Sequence, residues 1–304
     1  MAGVINTSNH PKALWPGVKA WWGKAYNDHQ TEYTDLFETF SSDKSYEEDV
    51  QIVGFGVVPQ KAQGASVTYD SEVQGPTTRY TNVAYALGYI VTHEELKDDL
   101  YSEVSNTRAS ALARSFRQTK ERVGAGIYNR ATTSGYVGGD GVVLLSTAHP
   151  NTSGGTFSNK LSVDADLSES ALEDIIIQVM QATDDRGLLI NLMPKSLHIA
   201  PANWFNANRI LKSEYQTDTA NNNINVIKAT GALPMGVKVN HYFTDTDAWF
   251  VRTDCPNGMK YYEREAMMFD QDNDFDTMNA KAKGYERYVF GWTDPRAVYG
   301  STGG

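Results

Sequence analysis

The first 49 residues carry two short stripes of aromatic and apolar side chains at helical spacing. A Trp15-Pro16-Gly17 break, which suits a helix start, precedes the first stripe. The stripes consist of Val18, Trp21, Trp22 and Ala25, and then of Tyr33, Phe37 and Phe40. This spacing predicts two small helices. Their aromatic faces either complete the core of their own chain, as such stripes usually do, or form an arm that packs on a neighbouring copy.

Two β-rich segments flank a long polar stretch. Residues 50–58 are largely apolar and end at Pro59, and residues 79–91 alternate between large and small side chains. The polar stretch 60–78 between them far exceeds the about two to five residues of an ordinary hairpin loop. The pattern therefore predicts a long two-stranded projection. Because an isolated hairpin is barely stable in water, this projection must lie against another surface, for which a neighbouring subunit is one candidate.

Thr92 opens the strongest helical signal. Thr92-His93-Glu94-Glu95 matches a capping box, in which the threonine hydroxyl and the Glu95 carboxylate satisfy opposing backbone N–H groups. An apolar stripe at helical spacing then continues to about residue 131. An unbroken helix of that extent would be about 55 Å long. Since this length exceeds the width of a small domain, we expect a spine along which other elements are arranged.

A second helix is expected over residues 168–186, with Ser168 as its N-cap and Gly187 as its stop. Residues 132–166 are rich in loops, with a short strand over 142–145. The remaining pattern predicts a helix near 204–211 and short strands over 196–200, 237–240, 248–252 and 285–292. This mixture of strands and helices indicates an α+β fold.

Composition narrows the classes of function. The 304 residues carry a net charge of −10, and the longest basic concentration lies inside the predicted spine helix. Since proteins that grip phosphates need a basic face, sequence-specific DNA binding is disfavoured. An acidic surface suits a container whose contents must not adhere to its wall. No apolar run approaches the about 18 residues that span a bilayer, and the single cysteine, Cys255, excludes an intrachain disulfide.

Motifs of catalysis and cofactor binding are nearly absent from the sequence. It contains no P-loop, no complete dinucleotide-binding loop, no G-x-S-x-G elbow and no zinc helix. His149 is the best candidate for a general base, but a lone histidine in a loop before Pro150 is more often structural. We therefore predict no catalytic residue and no cofactor. A soluble hydrolase that uses His149 with an acid such as Asp140 is the enzymatic alternative.

Acidic residues alternate near the C-terminus, at Asp270, Asp272 and Asp274, in a pattern similar to a calcium loop. The sixth position is Phe275 rather than the required glycine, and the twelfth is Lys281 rather than a bidentate glutamate. A solvated acidic loop is therefore the expected structure, with a cation site of another type as the alternative.

Several local stretches resemble the Mu-type major head subunit family of tailed bacteriophages. They are Leu144-Leu145-Ser146-Thr147-Ala148-His149-Pro150, Phe157-Ser158-Asn159-Lys160-Leu161, Pro194-Lys195-Ser196-Leu197-His198-Ile199-Ala200-Pro201, Asn208-Arg209-Ile210-Leu211 and Trp249-Phe250. The order of elements also resembles the Hong Kong 97-type capsid fold. The resemblance covers nearly the whole chain, and its motifs are architectural rather than catalytic.

This resemblance implies a structural protein that assembles as hexamers and pentamers into an icosahedral head around double-stranded DNA. The implied partners are further copies of the chain, a portal, a scaffold, a protease and decoration proteins. The implied locations are the virion and, during assembly, the host cytoplasm. The expected parts are an N-terminal arm (1–49), an extended β-hairpin loop (50–92), a peripheral domain with the spine helix (93–189), an axial domain (190–260) and a returning peripheral segment (261–304).

In that fold the arm and the extended loop overlap neighbouring subunits, so the resemblance favours an interface for the aromatic arm. The residues expected at this interface are Trp15, Trp21, Trp22, Lys61, Tyr69, Glu72 and Arg79. An encapsulin-like cellular compartment, which stores enzymes rather than a genome, shares the fold and is the first alternative.

Overall fold

The computed structural model describes residues 26, 30–98, 103–216, 223–274 and 276–304 of the chain. The helices are α1 Tyr33–Leu36, α2 His93–Asp98, α3 Glu103–Asn129, α4 Glu169–Met180, α5 Trp204–Lys212 and α6 Val226–Thr230. The strands are β1 Glu38–Ser41, β2 Tyr46–Val53, β3 Val73–Thr81, β4 Val83–Val91, β5 His149–Pro150, β6 Thr156–Phe157, β7 Pro194–Ile199, β8 Val237–Val239, β9 Trp249–Thr253, β10 Met259–Asn273, β11 Ala280–Trp292 and β12 Val298–Ser301.

Two four-stranded sheets organise the described residues. The first has the order β1-β10-β11-β4, in which β1 is parallel to β10 and the other neighbours are antiparallel. The second has the order β12-β9-β7-β8, with β7 and β8 parallel. These sheets and the helices confirm the α+β prediction. None of the helices in this part of the chain combines the length and the apolar character that crossing a membrane requires.

The spine helix α3 lies on the first sheet. Its buried residues Ala109, Leu112, Ala113 and Phe116 pack against β10 and β11. Its 27 residues correspond to about 40 Å. Thr92 caps the preceding helix α2, because its hydroxyl accepts from the Glu95 backbone N–H at 3.3 Å. Residues 99–102 lie outside the described part, so one unbroken helix stays a prediction.

The capping box at Thr92 is only half formed. The Glu95 carboxylate, which we expected to accept from a backbone N–H group, forms an ion pair with Arg108 instead. A guanidinium within reach offers the carboxylate a charged partner, and charge-assisted contacts are stronger than those with a neutral amide.

Helix α4 begins as the sequence predicts and ends earlier. The Ser168 hydroxyl accepts from the Ala171 backbone N–H at 3.2 Å, which confirms the N-cap. The predicted continuation to residue 186 is wrong, because a tight turn follows Met180. In this turn the Asp184 carboxylate accepts from the backbone N–H groups of Arg186 and Leu188, both at 2.8 Å. Such a side-chain bond to nearby backbone competes with helix formation.

The predicted projection is a two-stranded hairpin of β2 and β3, whose register runs from Tyr46 opposite Thr81 to Val53 opposite Val73. Residues 79–91 are two strands rather than the one predicted. The chain leaves the hairpin at Asn82, whose buried amide donates to Ser42 and to the Lys44 carbonyl. Beyond Asn82, β4 joins the edge of the first sheet beside β11.

The prediction of a second aromatic helix near residue 33 is largely wrong. Helix α1 has four residues, and Phe40 lies on strand β1. Tyr33 and Phe37 are buried and pack on Phe290 of β11, with ring centroids 5.7 and 4.9 Å apart. These two residues therefore complete the core of their own chain. The first aromatic stripe, over residues 18–25, lies outside the described residues.

Candidate assembly surface

The root of the hairpin is held by a polar cluster around Asp49 of β2. The Lys260 ammonium donates to the Asp49 carboxylate at 2.6 Å, and the hydroxyls of Thr293 and Tyr262 donate to it at 2.9 and 3.2 Å. The buried Tyr80 of β3 shares a hydrogen bond with Thr293 at 2.6 Å. Both strands of the hairpin are thus fixed to β10 and to the end of β11.

The tip of the hairpin, residues 54–72, is tied to the rest of the described chain through Arg186. The Asp70 carboxylate accepts from the Gly56 backbone N–H and from the Arg186 guanidinium, both at 2.8 Å. The hydrogen bonds from the backbone of Gly56 and Ser71, followed by the Arg186 contact, hold the pKa of Asp70 below its usual range. Because the Asp70 side chain is 45% exposed, this ion pair contributes little stability, and the tip is weakly tethered.

The hairpin exposes many apolar side chains to solvent. Val58 is 89% exposed and Tyr69 is 92% exposed. The other exposed apolar side chains of the hairpin are Tyr46, Val50, Ile52, Phe55, Val57, Val67 and Val73. Exposed apolar side chains concentrated in one segment of a chain are typical of a contact site. The exposed side chains of the hairpin are therefore a candidate surface for contact with another molecule.

Three residues expected at the interface, Lys61, Tyr69 and Glu72, lie exposed on this tip. Arg79 lies on β3, where its guanidinium is 3.7 Å from the Glu48 carboxylate and 3.7 Å from the Tyr46 ring centroid. Its contacts are therefore within its own hairpin. The other expected residues, Trp15, Trp21 and Trp22, lie outside the described part of the chain.

Residues 32 and 33, within the expected arm, are anchored by a buried glutamate side chain on the spine helix. Glu121 accepts from the backbone N–H groups of Glu32 and Tyr33 at 3.1 and 2.9 Å. The Glu32 carboxylate in turn accepts from the His241 backbone N–H at 2.8 Å. Burial raises the pKa of Glu121 to about 7, although the two backbone hydrogen bonds and Arg117 oppose this shift.

This raised pKa predicts a pH dependence of stability. Native Glu121 keeps its proton up to a pH of about 7, whereas its ordinary pKa is 4.5. Between these values the native state binds more protons than the unfolded state, so the free energy of unfolding should fall by about 3 kcal/mol as the pH rises. Urea unfolding at several pH values would measure this fall, which Glu121→Gln should largely remove. The same pH dependence in both proteins would contradict the assignment.

A buried ion pair joins the spine helix to strand β11. The Lys120 ammonium lies 2.8 Å from the Glu286 carboxylate and donates to the Tyr26 hydroxyl at 3.0 Å. Lys120 and Glu286 are both fully buried, among the rings of Tyr261 and Tyr288. Burial is the largest single effect and lowers the pKa of Lys120. The Glu286 carboxylate and the Tyr26 hydroxyl together raise it by more, so the net pKa lies above the usual range.

His149 is brought next to Asp140, as the hydrolase alternative expects, but within the protein interior. Its Nδ1 lies 2.6 Å from the Asp140 carboxylate and its Nε2 lies 3.2 Å from the Asn159 side-chain oxygen. The ring is fully buried and stacks on Phe157 at 5.0 Å. Both nitrogens are therefore occupied, and the imidazole fixes the conformation of the loop rather than facing a substrate site.

The alternating aspartates do not form the expected acidic loop. Asp270 and Asp272 lie on β10, which the sequence did not predict to be a strand. Lys283 lies 3.6 Å from Asp270, and Lys281 donates to Asp274 at 2.8 Å. That hydrogen bond is the main reason that the pKa of Asp274 is lowered. No group of three or more potential ligands in the described ranges is arranged to hold a metal ion.

A projecting hairpin, a long spine helix and a second sheet unit together define the Hong Kong 97-type capsid fold. A family model described as phage capsid protein matches residues 75–301. The chain therefore belongs to the phage capsid protein family. A comparison with curated proteins finds no match.

Solved capsid structures confirm the fold. The capsid of Myoviridae phage XM1 aligns over 100% of both chains, with 10% identity and a TM-score of 0.53. A structure from Mycobacterium phage Patience aligns over 99% of this chain and 89% of its own, with 11% identity and a TM-score of 0.56. A virus-like particle from Pyrococcus furiosus aligns over 94% and 98%, with 12% identity and a TM-score of 0.54.

Proposed function

We propose that this capsid protein is the major head subunit of a tailed bacteriophage of the Mu type, and that it assembles as hexamers and pentamers into an icosahedral head. The exposed apolar hairpin β2–β3 is the observation that carries the proposal. A surface such as that around Val58 and Tyr69 is costly to leave in water, and overlap with a neighbouring copy would bury it.

The proposed contents of the head are double-stranded DNA, held without sequence-specific contacts. The net charge of −10 supports this, because a wall of like charge repels the DNA backbone rather than binding it. The proposed partners are a portal, a scaffold and decoration proteins, with assembly in the host cytoplasm. The role is structural rather than enzymatic, in keeping with a His149 whose ring is buried and fully hydrogen-bonded.

The proposed interface combines the hairpin tip with the arm of the chain. Lys61, Tyr69 and Glu72 would contact the neighbouring copy directly, and Trp15, Trp21 and Trp22 would do so from the arm. Arg79 would act indirectly, because its contacts with Glu48 and Tyr46 stiffen the hairpin from within. The five-part division of the chain given above is proposed on the same basis.

Electron microscopy of the purified chain, expressed with its scaffold, tests the assembly. We expect closed, uniform shells that sediment far ahead of the 33.7 kDa monomer. A chain that stays monomeric at high concentration would refute the proposal.

The contents of particles distinguish a phage head from an enzyme-storing compartment. Membership of the phage capsid family supports the phage head. Particles purified from a phage lysate should hold double-stranded DNA that resists added nuclease. Particles that hold a packaged enzyme and no DNA would instead support the cellular compartment.

A further inference from the structure

Helix α4 presents an exposed face that is both acidic and apolar. Glu173, Ile177 and Met180 are spaced by four and three residues, so they lie on one side of the helix. Ile177 is 51% exposed and Met180 is 49% exposed. Together with Met193 and Val226 they line an apolar groove between α4 and α6.

Helix α5 presents an exposed face of complementary character. Phe205, Arg209 and Lys212 repeat the same spacing of four and three residues, and all three are exposed. Phe205 is 74% exposed, and its ring lies edge-on to Trp204 with the centroids 5.0 Å apart. The opposite side of the helix is buried at Ala207. The exposed face thus carries an aromatic side chain followed by two cations.

The charges on these faces lack partners of opposite sign within the described part of the chain. Glu173 lies near Glu169, where burial and then the Glu173 charge raise the pKa of Glu169. No ion pair with another described residue involves Glu173, Arg209 or Lys212. One face therefore has unpaired negative charge beside apolar side chains, and the other has unpaired positive charge beside an aromatic side chain.

We propose that the α5 face of one copy binds the α4 face of the next copy around a ring, with Phe205 in the apolar groove and Arg209 beside Glu173. A ring of identical subunits needs two different and complementary surfaces on each copy. Matched charges at the edge of such a contact select the correct partner and orientation. This inference rests on the proposed assembly and names the surfaces that make it.

Charge reversal tests the contact, with Arg209→Glu and Glu173→Arg made separately and together. Each single variant should lower the yield of assembled particles about tenfold, because like charges then face each other across the contact. The double variant should restore the yield to within about twofold, since the pair is only exchanged. If the double variant has a yield of assembled particles lower than that of either single variant, the proposed contact is wrong. Single variants that assemble as well as the wild type would also overturn it.

Cysteine crosslinking tests the same contact without reversing a charge. Cys255 is buried, so Phe205→Cys and Ile177→Cys each add one accessible thiol. After the two variants are coassembled and mildly oxidised, a disulfide-linked dimer should form, whereas neither variant alone should crosslink. No dimer in the mixture, or equal dimer in one variant alone, would overturn the assignment. If the cysteine variants give these negative results while the wild-type protein still forms particles, only the proposed contact is refuted and the proposed function stands. A wild-type protein that stays monomeric would refute both proposals.

Discussion

A chain in which a Gly-Ser-Gly linker replaces residues 57–69 should fold normally and fail to form stable shells. The shortened loop keeps Gly56 and Asp70, which are already hydrogen-bonded at 2.8 Å, so closing the gap between them requires little rearrangement. The Asp49 cluster at the root is untouched, so the two strands stay fixed to β10. The variant loses only the exposed apolar tip, and that tip is the surface proposed to hold neighbours together.

Circular dichroism and urea unfolding would establish whether this variant folds. Sedimentation and electron microscopy would measure its yield of assembled shells. A variant of full length, with Val58→Ser and Tyr69→Ser, separates loss of apolar contact from loss of length. Val163→Ser is the matched control, because Val163 is 79% exposed but lies outside the hairpin. Shells of normal yield and heat resistance from the deletion would exclude the role proposed for the tip.

Removal of one partner from the buried pair between the spine helix and β11 should destabilise the monomer severely. Lys120→Met leaves the Glu286 carboxylate buried with no cation at 2.8 Å, and such a loss costs about 3–5 kcal/mol. Replacing both partners, as in Lys120→Met with Glu286→Leu, should recover most of that free energy, because neither position then holds a buried charge.

Urea unfolding of the single and double variants would measure these free energies. Lys283→Met provides the control, because Lys283 and Asp270 form a similar pair with 71% and 70% exposed side chains. That variant should change stability by less than about 0.5 kcal/mol. A double variant no more stable than Lys120→Met would show that packing, rather than the unpaired charge, causes the loss.

The elements that the sequence predicted correctly are those determined by interactions between residues close together in the chain. The N-cap at Ser168 and the apolar spacing of the spine helix depend on residues within a turn or two of one another. Strand β10 escaped prediction because register shifts near Glu265 break its alternation, and because its first residues, beginning at Met259, are buried on both faces.

The parts of the candidate surface that sequence missed depend on distant residues. Asp70 and Arg186 are 116 positions apart, and Asp49 and Thr293 are 244 positions apart. No periodicity links such positions, so only the folded chain identifies the tether and the cluster at the root. For the tether, the sequence offered one weak indication, an acidic side chain in a polar loop at Asp70. The exposure of Tyr69 and Lys61, in contrast, follows from the polar and glycine-rich composition around them.

The Asp49 cluster also determines how the hairpin can move. Lys260 and Thr293 fix the root of the hairpin, whereas among the described residues the tip is held by the weak Arg186 contact. The hairpin is therefore fixed at one end and able to move at the other. Strand β2 alone spans eight residues, or about 26 Å, so a small rotation of the first sheet becomes a larger displacement at the tip. A rigid turn of one subunit would therefore be transmitted to whatever the tip touches as a lateral pull, without refolding at the root.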